Sequence, residues 1–95
     1  MEDLQIYCDE MEAQLKEWDA RLERLKVKAK LTEGDTQIEM SDEIHFLNMK
    51  KRAVEEKLRE LRAATGDACL IIKADLNEAL KDLETSFQNT SLKFR

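Results

Sequence analysis

Apolar residues recur along this chain in a 3-4 alternation that a helix, and not a strand, gathers into one continuous stripe. Leu4, Met11, Trp18 and Leu25 stand seven apart, and Cys8, Leu15, Leu22 and Ala29 follow each of them by four. The seam is unbroken from residue 4 to residue 29, and nearly every intervening position is polar, with Ile6, Tyr7 and Val27 as the exceptions. The spacing predicts a helix over residues 2–31, about 45 Å long at 1.5 Å per residue.

A second seam follows Gly34, with Met40, Leu47, Val54 and Leu61 seven apart, interleaved with Ile44, Lys51 and Leu58. Its phase is one residue later than the first seam would give. Thr36 followed by Glu39 fits a capping box, which predicts a turn at Gly34 and a new helix over residues 36–64. The alternative is a single long helix that absorbs the skip, with glycine costing about 1 kcal/mol relative to alanine. Thr65-Gly66-Asp67 is the clearest punctuation in the chain: the glycine can close the second helix in the left-handed conformation and the aspartate can cap a third. Cys69, Ile72, Leu76, Leu80, Leu83, Phe87 and Phe94 then continue a seam, predicting a helix over residues 67–88 or beyond, fraying near Gln88-Asn89-Thr90-Ser91.

The 95 residues contain no proline and two glycines, too few to turn the many short strands of a β-sandwich or barrel. The expected fold is therefore all-α: one domain, a three-helix antiparallel coiled-coil-like bundle. A long continuous helix spanning the first two segments, paired antiparallel between chains, is the alternative. Charge order bears on both. Residues 1–19 carry seven acids and one base, residues 20–31 five bases and one acid, residues 32–49 five acids and no base, and residues 50–62 six bases and three acids. Antiparallel packing sets acidic ends against basic ends. The macrodipole alone, which favours acids at helix N-termini and bases at C-termini, would give the same order.

Net charge −5 argues against a nucleic-acid partner, whose sequence-independent affinity comes from lysines and arginines neutralising phosphates. No run of about 18 apolar residues is present, so no membrane span is expected. Seven carboxylates among the first twenty residues are unlike a secretory signal, and the expected compartment is the cytoplasm.

No catalytic or metal-binding constellation emerges. His45 is the one histidine, and Asn48 and Met49 at its helical neighbours are poor ligands. No metal, no cofactor and no enzymatic activity are expected. Cys8 and Cys69 occupy seam positions, where free cysteine packs as a small hydrophobe. In an up-down-up bundle both fall in the first two turns of parallel helices, which makes a disulfide and a redox-sensing role conceivable. Trp18 reads as a core anchor. Ile38, Phe46 and Met49 form an extra stripe on the second helix, to be covered either by Phe87 and Phe94 or by a partner. Leu70, Ile71 and Ile72 point in more directions than one core can take, and are the leading candidates for an oligomer or partner contact, with simple core packing as the equal alternative.

Met11-Glu12-Ala13-Gln14-Leu15-Lys16-Glu17-Trp18-Asp19-Ala20 and the later Gly66-Asp67-Ala68, followed by an amphipathic repeat with Ala79, Asp82, Leu83 and Phe87, resemble a family of small bacterial coiled-coil proteins. These are grouped loosely as stress-response proteins and have no assigned biochemical activity. The resemblance covers most of the chain. It departs where such relatives carry tryptophans in the third segment: this sequence has Cys69 and Leu80 there, and a more apolar Leu70-Ile71-Ile72. The expected function is a non-enzymatic structural or interaction role, through homo-oligomerisation or contact with another helical protein, with a stress setting implied by the resemblance. Peripheral association with a membrane surface through the amphipathic third helix is the alternative, although that helix carries five acids against four bases.

Overall fold

Three helices, α1 (Glu2–Lys30), α2 (Asp35–Ala63) and α3 (Ala68–Lys93), build the computed structural model, which describes residues 2–94. The chain reverses at each connection, so the continuous α1–α2 helix is not formed. Gly34 is the reason. Its φ of 74° and ψ of −150° lie in a region that essentially only glycine enters, and the helical hydrogen-bond ladder stops on either side of it. Leu31 and Thr32 close α1 with amide bonds back to Val27, Lys28 and Ala29, while Gln37 donates to the Gly34 carbonyl to open α2.

The capping chemistry differs from the sequence expectation at both turns. Helix α2 starts one residue early, with Gly34 at the N-cap, so Thr36 and Glu39 lie inside the first turn and form no capping box. Asp67 stands at the N-cap of α3 with helical dihedrals and no side-chain cap hydrogen bond. Its backbone is already helical, which turns the carboxylate away from the amides a cap would reach. Gly66 does take the left-handed conformation, φ 63°. At the other end α3 does not fray at residues 88–91. It runs to Lys93 because Thr90 and Phe94 are both buried, Thr90 bonding the Ser86 carbonyl and the Glu43 carboxylate.

Partner numbers fix the topology. Asp19 meets Lys51 while Asp9 and Glu12 meet Arg62, so α1 and α2 run antiparallel. Asp82 meets Lys50, Asp75 meets Lys57 and Glu43 meets Lys93, so α2 and α3 do too. Helices α1 and α3 are parallel: Tyr7 donates to Asn77 at 2.5 Å, Trp18 packs edge-on against Phe87 with ring centroids 5.1 Å apart, and Lys28 donates to the Phe94 carbonyl. Close backbone approach occurs at the α1–α2 and α2–α3 pairs. The α1–α3 pair is bridged by long side chains, with Trp18 and Phe87 filling what would otherwise be a gap. The result is a rod of 51 × 18 × 18 Å.

The core is the three seams brought together. Leu22, Leu47 and Leu83 are essentially inaccessible and share the middle of the rod; Cys8, Leu61 and Leu76 are comparably buried towards the end that holds the first turns of α1 and α3. Burial of one such leucine contributes about 2–5 kcal/mol by the cost of its truncation to alanine. No buried side-chain nitrogen or oxygen among the described residues lacks a partner.

Because an added Cβ at Gly34 meets open space, its conformation alone decides the effect of substitution. Gly34→Ala is expected to destabilise the fold by about 1–3 kcal/mol, the usual cost of a strained non-glycine backbone. A thermal melt followed by helix circular dichroism measures it, and an unchanged midpoint would show that the turn does not depend on that dihedral.

Candidate interaction surface

Among the described residues nine large apolar side chains stay outside the core: Ile6, Val27, Leu31, Ile38, Phe46, Met49, Leu70, Ile71 and Leu92. Helical geometry explains why. Met49 is two residues beyond core Leu47 and Ile38 two before core Met40, about 200° round the helix in each case. Both therefore face outwards at 55% and 61% exposure. Phe46, about 100° from Leu47, lies on the flank, with the Lys50 ammonium 4.8 Å above its ring. The expectation that Phe87 and Phe94 cover this stripe is not met, because Phe87 turns to Trp18 and Phe94 enters the core.

The Leu70-Ile71-Ile72 triplet divides. Ile72 packs against the core, and Leu70 and Ile71 remain 71% and 65% exposed. Helix α3 thus commits Leu76, Leu80 and Leu83 to the bundle interior and leaves only Leu70, Ile71 and Leu92 as large apolar groups on its outer surface. Among the described residues no helix is long and apolar enough to cross a membrane.

A second outward stripe has no counterpart in the sequence expectations, which took Ile6 and Val27 as isolated exceptions. Ile6, Ala13, Ala20 and Val27 are seven apart, and each precedes a core residue by two: Cys8, Leu15, Leu22 and Ala29. All four are exposed. The signal was present in the sequence, hidden because alanine counts weakly as apolar.

Ion pairing is lopsided. The α1–α2 pairing of acidic and basic ends forms where Arg62 meets Asp9 and Glu12 and where Lys51 meets Asp19. The opposite half of that expectation fails. Among the described residues Arg21, Arg24, Lys28 and Lys30 pair with no carboxylate, and Glu43, the acid of α2 nearest that level, turns instead to Lys93 and Thr90. Arg21 stacks over Trp18 at 4.8 Å, and Arg21, Arg24 and Lys28 edge a shallow groove floored by Leu25 and Phe87. Asp3, Glu10 and Glu17 are likewise without cationic partners among the described residues.

The two thiols are not neighbours. Tyr7 is level with Asn77 and Trp18 with Phe87, so Cys8 is level with residues near 78 on α3. Cys69 lies nine residues nearer the helix start, about 13 Å along the axis, whereas disulfide-linked α-carbons lie within about 7 Å. Both cysteines are free. No group of three or more histidine, cysteine, aspartate or glutamate side chains capable of holding a metal ion occurs among the described residues, and His45 is exposed.

Among the described residues packing shifts the ionisation of Tyr7 and Lys51. Burial raises the Tyr7 phenol, with the neighbouring Cys8 thiol adding to the effect. Burial on its own lowers Lys51, but the hydrogen bond and charge of Asp19, with those of Glu55, outweigh it and the ammonium ends above its ordinary value. In both cases the protonated form is favoured by folding. The stabilisation is thus fully present below the unfolded-state value and is lost as pH rises through the folded-state value.

No family model, curated protein or solved structure matches this chain.

Tyr7 is the single tyrosine, so phenolate absorbance reports it cleanly. Its titration midpoint is expected above that of free tyrosine, moving down in Cys8→Ser, and alkaline unfolding is expected to begin at lower pH in Lys51→Gln. A Tyr7 midpoint at the free value would mean that the α1–α3 face is open there.

Proposed function

We propose that this protein is a non-enzymatic helical interaction module that works by burying outward apolar side chains against another helix, in a second copy or in a different helical protein. The observation that supports this most is the retention of Phe46, Met49, Leu70 and Ile71 on the surface of a rod whose own core is already filled. Single exposed apolar residues are ordinary, but here they recur on the outer faces of all three helices. The flanking charges would select orientation more than they add affinity, since exposed pairs contribute about 0–1 kcal/mol each. The likeness of residues 11–20 and 66–68 to small bacterial coiled-coil proteins adds a stress-related setting to this reading, to which we join a cytoplasmic location.

Lipid-surface association through α3 is the weaker reading, because its apolar seam would first have to be withdrawn from Leu47 and Leu61. A redox role for Cys8 and Cys69 within one chain would likewise require α3 to slide by about two turns.

A photo-cross-linking residue placed singly at positions 46, 49, 70 and 71, with position 78 as a polar control, tests the reading in the cells that express the protein. Discrete protein adducts at one or more of the apolar positions, above the level at position 78, are expected. Their absence at all four would overturn it.

A further inference from the structure

Helices α1 and α3 never close on each other. Among the described residues no α-carbon of α1 comes within 8 Å of one of α3, whereas both helices approach α2 that closely. Trp18 and Phe87 span the gap at mid-rod. Beyond them the gap widens into a shallow groove of about 310 Å³, floored by Leu25 and the half-buried Phe87 and rimmed by Arg21, Arg24 and Lys28. Nothing on the facing wall answers these charges, since α3 carries no carboxylate from Thr85 to Lys93. The last acids on the two walls, Glu17 one turn before Arg21 and Glu84 one turn before Phe87, form no ion pair with the three cations among the described residues. Glu23 turns to Lys26 instead. The Arg21 guanidinium lies over the Trp18 ring at 4.8 Å, which leaves its planar fork of N–H donors without a carboxylate, and Lys28 bonds the uncharged Phe94 carbonyl.

The occupant that fits is anionic, apolar on one side, and short in its run of charge. A shallow groove does not enclose a small molecule in the way a ligand pocket does. A long polyanion would continue along α1 over Glu17 and Glu10, which stand seven and fourteen residues before Arg24 on one line of the helix and repel it. Carboxylates confined to two turns meet neither obstacle. Arg21, Arg24 and Lys28 are spaced by about 4.5 and 6 Å along α1, at 1.5 Å per residue, and these are the spacings of residues three and four apart on a second helix. Arginines beside exposed aromatic surface are also the composition that carries binding energy in protein interfaces. We propose that the α1–α3 groove docks an acidic amphipathic helix of a partner protein. Its carboxylates, at i, i+3 and i+7 or in the reverse direction at i, i+4 and i+7, pair with Arg21, Arg24 and Lys28, and its apolar side chains rest on Leu25 and Phe87. The partner lies along the gap as a fourth helix. This goes beyond the interaction-module reading, which rests on positions 46, 49, 70 and 71. Because the chain as a whole has net charge −5, attraction is local to the groove and is screened by salt over about 8 Å.

Trp18 is the single tryptophan and lies beneath Arg21, so its fluorescence reports occupation of the groove. The probe is a tryptophan-free designed helix of about 18 residues, with glutamates at i, i+3, i+4 and i+7 to serve either direction, leucines along one flank, and alanine and glutamine elsewhere. Its mate carries glutamine for each glutamate. The acidic peptide is expected to shift the Trp18 emission with a midpoint in the micromolar range, and the glutamine peptide to bind roughly tenfold more weakly or worse. A chain with Arg21→Gln and Arg24→Gln is expected to lose the same preference, while Met49→Lys keeps it. Since both arginines are exposed and bond no carboxylate, helix content by circular dichroism is expected to be unchanged, and the peptide exchange reads the same preference with no change to the protein at all. Failure of the acidic peptide to bind, equal binding of the two peptides, or binding indifferent to the arginine substitutions overturns the proposal. So does a single-stranded oligonucleotide that binds more tightly than the acidic peptide and is lost in the same variant, which would give the groove to phosphate. Self-association of the chain lost in that variant would give it to a second copy and overturn the proposal likewise. A groove that fails these tests while cross-links still form at positions 46, 49, 70 or 71 leaves the interaction-module reading standing, and cross-links that fail while the acidic peptide binds leave the groove standing.

Discussion

Each helix of this protein has one apolar seam and cannot bury it alone, so everything depends on the chain reversing where the seams change phase. Gly34 supplies the first reversal with a backbone conformation that other residues reach only under strain. Without it the two 29-residue helices would run on as one, and the seam of α2 would find its partner only in another molecule. Once the reversal is made, α3 has a two-helix surface to dock on, and the third seam fills it. Most of the stability comes from that apolar layer, centred on Leu22, Leu47 and Leu83. The ion pairs along the α1–α2 and α2–α3 seams set direction and register.

The heptad pattern carried most of this architecture. Positions such as Met11, Trp18, Leu47, Leu61 and Leu83 are buried where their spacing places them, because a 3.5-residue repeat leaves little freedom over which face turns inwards. Helix ends were less legible. The Thr36-x-x-Glu39 and Asp67 patterns looked like caps, yet both turns are made by glycine dihedrals, with no side-chain cap. Glycine at the turn already orders the first amides through the Gly34 and Gly66 carbonyls, so a cap side chain has less to do.

The outer surface was the least legible. Nothing in a sequence says which of two apolar stripes wins the core, and on α1 the losing stripe is diluted by Ala13 and Ala20. Nor could the fate of Phe87 be read from spacing. It is drawn to Trp18 because α1 and α3 stand too far apart for short side chains to meet, and an edge-on aromatic pair bridges that distance. Phe46 and Met49, already turned outwards by their helical positions, therefore receive no aromatic cover from α3.

The distance between α1 and α2 within one chain tests the reversal at Gly34 most directly. Spin labels at positions 17 and 56, in a chain carrying Cys8→Ala and Cys69→Ala and diluted into excess unlabelled protein, report only that intramolecular separation. Antiparallel helices 8–10 Å apart place the labels at about 20 Å once the label arms are included. A separation near 58 Å, from 39 residues of unbroken helix at about 1.5 Å each, would contradict the fold and transfer every core contact of α1 to a second molecule.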